Sequence, residues 1–443
     1  MSGRDSNEGA GSRLSPDPAE ETTRHGPTGL RSLAIDTGPL RRHPQFRLLL
    51  AARAITSLGS MSTYVTVPFH VYTLTHSTLA VGLLAVAEII PLVLSGLLGG
   101  ALADAFDRRR IIVTTEVGLL AGSGILIANG YLRHPHVWLL FVWAAIASAI
   151  GGLQRPAIEA MLPKLVDPSE LTSMASIRSM ISTLTQIGGP ALGGLIIAGV
   201  GIRGAYVFDA ITFAFSLVLL VRLRPIAVPA EADGVSLQGI ADGWRFARSS
   251  PVLMGTYVVD IVAMVFGMPI AVFPALAADY GGPRTLGLLY AAPAVGAFIA
   301  TLTSGWSNRV QRHGLGVIIS AAIWGVAIAL FGFAGFLPLA LVLLAIAGGA
   351  DMMSGIFRMT IWNRTVPDEL RGRLASIEML SYSTGPILGN LETGAVATAF
   401  TPRVSIVSGG VLCVVGTAVL ALALPTFTAY RDRGGSWHRD RAE

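Results

Sequence analysis

The chain has 443 residues, of which 52% are hydrophobic and 13% charged, with a formal net charge of +5 and a mean hydropathy of +0.62. Soluble chains carry roughly 25% charged residues, so this balance excludes an ordinary soluble enzyme or binding module and indicates a protein solvated by lipid. The pI of 9.6 reflects basic loops and tails facing anionic lipid and implies no nucleic-acid partner, while the lone Cys413 excludes an internal disulfide and a cysteine-built metal site.

Residues 1–45 are rich in Ser, Gly, Pro and charge without an apolar signal core, and read as a disordered tail. From Phe46 to Pro425 apolar runs of about 20 residues recur, the length that spans a hydrocarbon layer of roughly 30 Å. They predict an all-α integral membrane fold of twelve transmembrane helices, at 46–74, 79–102, 111–131, 137–161, 171–199, 204–222, 251–278, 285–306, 315–335, 337–361, 374–399 and 403–425. The basic residues are all arginine except Lys164 and are unevenly placed. Arg133, Arg203, Arg284 and Arg403 fall on one set of loops, whereas Arg108 to Arg110, Lys164, Arg222, Arg224, Arg245, Arg248, Arg309, Arg312, Arg364, Arg371 and Arg373 fall on the other. The second set is expected to be cytoplasmic, which puts both termini on the inner side of a plasma membrane.

The linker 223–250 divides the chain into an N-terminal six-helix bundle over 46–222 and a C-terminal one over 251–425, followed by a tail at 426–443. Repeats support this division. SELTSMASI (169–177) returns as DELRGRLASI (368–377), GPALGGL (189–195) as GPILGNL (385–391), and GLLAVA (82–87) as GLLYAA (287–292). Two pseudo-symmetric halves suit a transporter that rocks around a midplane site.

The second span ends in GGALADAFDRRR (99–110). Gly100 permits close helix approach, and Asp104 is able to accept hydrogen bonds from a neighbouring helix N-terminus. Topology requires positive charge only, so Asp104 reads as part of a latch, whereas Arg110 reads as a topology determinant. The stretch resembles the loop signature of the major facilitator superfamily, with Gly100, Leu102, Ala103, Asp104, Arg108 and Arg109 on matching positions and Asp107 in place of the second glycine. The resemblance implies a clamp between the halves, in which Arg108 holds Asp104 or reaches carboxylates in the region of Asp368, Glu369 and Glu378. The second half carries a degraded copy, SGWSNRVQR (304–312), without the aspartate.

In the fifth span Gly189, Pro190, Gly193 and Gly194 predict a kinked helix with a flat packing face. They resemble the antiporter motif of exporters in the same superfamily, which favours export; kinked packing without a direction of transport is the alternative.

Ionisable residues at membrane depth are costly and usually functional. Arg53 and Asp260 occupy related positions in the first and seventh spans, as do Arg178 and Glu378 in the fifth and eleventh, with opposite signs in each pair. Attraction across the cleft is expected for all four. Arg155 and Arg358 also correspond and are expected to snorkel to headgroups. Glu88, about nine residues into its span and so roughly 13 Å deep, joins Asp260 and Asp351 as a candidate proton carrier. A structural hydrogen bond is the alternative role for each acid.

There is no G-x-x-x-x-G-K-[S/T] phosphate loop, and His70, His76, His134 and His136 lack metal-ligand spacing. We therefore assign no cofactor, no metal and no catalytic triad, and do not read the chain as an enzyme. The segments ARAITSLG (52–59), THST (75–78) and GGALADAFDRRRIIV (99–113) are similar to the enterobactin exporter group and related bacterial multidrug permeases. The resemblance implies a monomeric transporter in the lipid bilayer, exporting a small amphipathic molecule such as a siderophore or drug in exchange for protons. An importer or uniporter of the same fold is one alternative, and a membrane sensor or scaffold is another.

Overall fold

The computed structural model describes residues 36–224, 244–367 and 370–431. The side chains of 97–105, 372–373, 375–377 and 379–383 lie outside the description, and with them the sequence expectations for Gly100 and Asp104. Those for Asp368, Glu369, most of the N-terminal tail and linker, and the end of the C-terminal tail lie outside as well.

The described secondary structure is helical. Its long elements are α1 (Pro44–Thr75), α2 (Thr78–Ala105), α3 (Arg108–Tyr131), α4 (Val137–Met161), α5 (Leu171–Val221), α6 (Pro251–Gly267), α7 (Phe273–Asp279), α8 (Pro283–Thr303), α9 (His313–Phe331), α10 (Leu337–Thr365), α11 (Arg371–Ala399) and α12 (Pro402–Ala423). Among the described residues nine helical segments are long and apolar enough to cross a membrane. Their outer surface is itself apolar: Leu422 is 84% exposed and Leu302 70%. Such a surface is stable against hydrocarbon and aggregates in water.

Three predicted spans depart from expectation. The fifth and sixth run together as α5, interrupted only at Gly201, where φ is 78° and ψ 178°. That conformation is open to glycine and strained for other residues. The seventh, expected to be continuous over 251–278, stops at Gly267 and resumes at Phe273. Pro269 cannot donate a helical hydrogen bond, and α11 supplies partners at the break: Ala271 N donates to Asn390 Oδ1 at 3.1 Å, and Thr393 Oγ1 donates to Met268 O at 2.8 Å. Backbone at membrane depth requires such partners.

Helices α1 and α5 pack together, as do α2 and α4, α8 and α10, and α9 with α10 and α12. The N-terminal and C-terminal halves of the chain meet where α2 runs along α11 and α5 along α8. Both contacts are built on glycine. A Cβ at Gly194 would lie 2.8 Å from Gly287 N, and one at Gly82 would lie 2.5 Å from Asn390 O. Among the described residues, the hydrogen bonds joining these sides come from the start of α2: Thr78 Oγ1 donates to Gly394 O at 3.0 Å, and Leu79 N donates to Thr398 Oγ1 at 3.0 Å. Across the same junction Tyr64 and Tyr290 stack edge to face, with ring centroids 5.6 Å apart.

Candidate functional site

Polar side chains at membrane depth gather in three places. The first is a cavity of about 460 Å³ walled by α1, α2, α4 and α5 and bearing Arg53, Gln154, Arg155, Glu159 and Arg178. Arg53 Nη1 donates to Gln154 Oε1 at 2.9 Å, and Gln154 Nε2 donates to Glu116 Oε2 at 3.0 Å. Thr56 Oγ1 donates to the other oxygen of Glu116 at 2.5 Å. Glu116 is 1% exposed, so these donors replace the water it has lost. Arg178 forms an ion pair with Glu159, one turn beyond Arg155 on α4.

The second group lies on α6 and α10. Arg358 Nη1 stands 2.6 Å from Asp260 Oδ1, and its other terminal nitrogen stands 3.9 Å from Asp351. Asp351 and Arg358 are seven residues apart on α10, close to two helical turns, and so share a face. Glu378 on α11 lies within electrostatic reach of Arg358 and Asp260.

The third is a cavity of about 380 Å³ near the Tyr64–Tyr290 junction, lined by Tyr64, Glu88, Trp143, Phe213 and Asp209 among others. Ser123 Oγ donates to Asp209 Oδ2 at 2.8 Å. The carbonyl oxygen of Glu88 accepts from Ser148 Oγ at 2.8 Å, tying α2 to α4 just before Pro91.

These contacts correct the expected pairing. Arg53 does not face Asp260, nor Arg178 Glu378; Arg53 binds Gln154, Arg178 binds Glu159 and Asp260 binds Arg358. Arg53 and Arg178 find their partners within the first half of the chain and Asp260 within the second. Arg358 also does not snorkel, because Asp260 draws its guanidinium inward. Arg155 is exposed in the first cavity.

Glu116, Gln154 and Asp209 are central to these networks but went unselected from sequence. Glu116 and Asp209 lie inside predicted spans, so the rule that picked out Glu88 picks them out too. Gln154 carries no charge and offers no such signal.

The loop signature is seen in part. Asp107, the departure from the motif, caps α3 by accepting from Arg109 N at 2.9 Å. Arg109 Nη2 donates to Val221 O at 2.6 Å, and Arg108 is buried against the end of α4 near Ala160. In the helix-5 motif Gly189 and Gly193 seat against Met61 and Ser62 of α1, while Gly194 faces α8. Pro190 is buried among them, and its carbonyl faces Gly287.

At the start of α1, His43 Nε2 lies 2.5 Å from Glu170 Oε2 and 3.7 Å from Asp167 Oδ2, bringing together three groups of metal-ligating type. Arg42 forms an ion pair with the same Glu170, so the cluster already holds a cation. It ties the chain before α1 to the turn before α5.

Apolar helices enclosing charged cavities at membrane depth are the construction of a membrane transporter. The sequence model for transmembrane secretion effectors matches residues 36–441, and the chain belongs to that family, of the major facilitator type. It is 28% identical over 399 residues to the enterobactin exporter EntS of Citrobacter koseri, covering 88% of this chain and 95% of the relative. Against the enterobactin exporter EntS of Escherichia coli O1:K1 it is 28% identical over 408 residues, covering 91% and 97%. In fold it resembles the nucleoside transporter NupG, with a TM-score of 0.69 at 15% identity over 87% of this chain and 100% of that one. It also resembles a bacterial homologue of the human lysosomal transporter Spinster in an inward-facing, unoccupied conformation, with a TM-score of 0.68 at 17% identity, covering 88% of this chain and 98% of that one.

Proposed function

We propose that the chain is a secondary active exporter of a small amphipathic molecule, driven by proton entry and working by alternating access as a monomer in the inner membrane. Twelve crossings suit this reading: dividing α5 at Gly201 and adding α1 and α11 to the nine apolar segments gives that number. They form two six-helix bundles joined by the linker 223–250, with both termini cytoplasmic.

The observation that carries the reading is the contrast between the two ends of the helices. At the Thr78 end α2 meets α11 and α5 meets α8 through glycine contacts and hydrogen bonds. Near the opposite end, where α1 and α5 begin and α4 finishes, lies the Arg53 cavity. The arginine distribution makes that end cytoplasmic, so this is an inward-open state, and closing it over Asp104 while parting the Thr78 end would deliver substrate outward. The relatives named as enterobactin exporters support the outward direction, and a siderophore or an antibiotic is the cargo class. Glu88, Asp260, Asp351, Glu116 and Asp209 are the acids available for proton coupling.

The test uses inside-out vesicles with an acid interior and follows uptake of a labelled siderophore and a labelled macrolide. Uptake that collapses with a protonophore supports proton-driven export; no gradient-dependent uptake of either compound sinks it.

A further inference from the structure

We propose that the cavity walled by Arg53, Arg155 and Arg178 binds an anionic amphiphile: an apolar or aromatic body carrying negative charge. The proposal rests on the transport reading and gives it a substrate class.

The charge balance of the cavity is uneven. Three guanidinium groups and one carboxylate line it, and that carboxylate, Glu159, is engaged with Arg178. Arg53 donates to a neutral amide, Gln154. The acid behind that amide, Glu116, is 1% exposed and already accepts from Thr56 and Gln154, so it stands outside the cavity wall. Arg155 has no ion-pair or hydrogen-bond partner among the described residues, and its side chain is exposed to the cavity. Cations held at membrane depth without counter-ions are costly, and a ligand that brings the counter-charge relieves that cost.

The remaining chemistry fixes the rest of the ligand. Leu50, Leu92, Ile158 and Ile181 line the same walls, so an apolar body is buried while its negative charge meets the arginines. Guanidinium groups from three helices put positive charge on three sides of the cavity. A volume of about 460 Å³ admits a molecule of drug size. The cavity beside Tyr64 has the opposite character, since Glu88 and Asp209 line it and, among the described residues, no arginine, lysine or histidine does. The two cavities therefore favour ions of opposite sign, and the arginine cavity takes the anion.

Tetraphenylborate and tetraphenylphosphonium have the same shape and opposite charge, so together they separate charge recognition from apolar partition. Binding of each is measured to the full chain in phosphatidylcholine nanodiscs, with empty nanodiscs subtracted. The expected result is saturable borate binding, weakened roughly tenfold by Arg155→Gln and by Arg53→Gln, with little phosphonium binding. Glu159→Gln removes the opposing charge and is expected to tighten the borate. Arg155 and Glu159 are exposed, so these two variants carry the test if Arg53→Gln fails to fold.

Equal binding of both ions, preference for the phosphonium, or borate affinity that ignores the arginines overturns the site. Loss of borate binding when phosphatidylglycerol is added to the nanodiscs overturns it as well, because it assigns the arginines to lipid phosphate. Vesicle transport of neither labelled compound, with borate binding that follows the arginines, would remove the export reading and leave the site. Gradient-driven transport with no borate site would do the reverse.

Discussion

Gly194 of α5 and Gly287 of α8 face each other so closely that a Cβ on the first would stand 2.8 Å from the backbone nitrogen of the second. The repeats align Gly287 with Gly82 and Gly194 with Asn390, and Gly82 of α2 lies against Asn390 of α11. One contact is thus made twice, by related pairs of helices on two sides of the molecule. The second copy has diverged: Asn390 also accepts the hydrogen bond from Ala271 that seals the break between α6 and α7.

Gly194→Leu should wedge this junction open. Overpacking costs about 1–3 kcal/mol, which corresponds to roughly 5- to 150-fold in the population of the closed arrangement. Transport should fall accordingly, and a cysteine placed at Tyr64 should become more reactive to a membrane-impermeant thiol reagent added from the outer side. Unchanged labelling would show that the junction is not an outer closure.

Thr78→Val removes the hydroxyl that donates to Gly394 O and meets Thr398 at 2.9 Å. The expected loss is about 0.5–1.5 kcal/mol, read as a faster rate of outward opening with little change in thermal unfolding. A large drop in thermal stability instead would mean that these bonds hold the fold and not the closure.

Asp260→Asn leaves Arg358 with an amide and with Asp351, which stands 3.9 Å away. Removing one member of a buried pair costs about 3–5 kcal/mol, whereas removing both is far milder. The single variant should therefore show a clearly lowered unfolding temperature in detergent, and the Asp260→Asn, Arg358→Gln double variant should recover much of it. A double variant no better than the single would argue against direct coupling.

Glu116→Gln places an amide where two donors, Thr56 Oγ1 and Gln154 Nε2, require acceptors. Mismatched donors cost about 1–3 kcal/mol. If Glu116 also carries a proton, release on substrate addition should diminish in this variant while substrate binding persists. Undiminished release, measured with a pH dye in weak buffer, would confine Glu116 to a structural role.

For the cytoplasmic latch the expectation rests on the sequence signature: Asp104→Asn should abolish gradient-driven uptake while leaving the amount of folded protein unchanged. Full uptake in that variant would end the latch hypothesis.

Much of this molecule was written in local sequence. Hydrocarbon demands long apolar helices, so hydropathy alone located long helices such as Val137–Met161. The glycines at 189, 193 and 194 announced close packing because a missing side chain is a local property. Charges inside spans, such as Arg53, Asp260 and Asp351, were legible for the same reason. Their partners were not. Arg53 reaches Gln154 over 101 positions, Arg358 reaches Asp260 over 98, and the break at Met268–Val272 is closed by Asn390 and Thr393. Spacing along one helix fixes which face a residue occupies, but the facing residue is set by how separate helices pack and rotate against one another. The sequence by itself therefore determined the solvent, the helices and the presence of charge at depth, while only the tertiary structure decided which charges are neutralised and which arginines remain to meet a ligand.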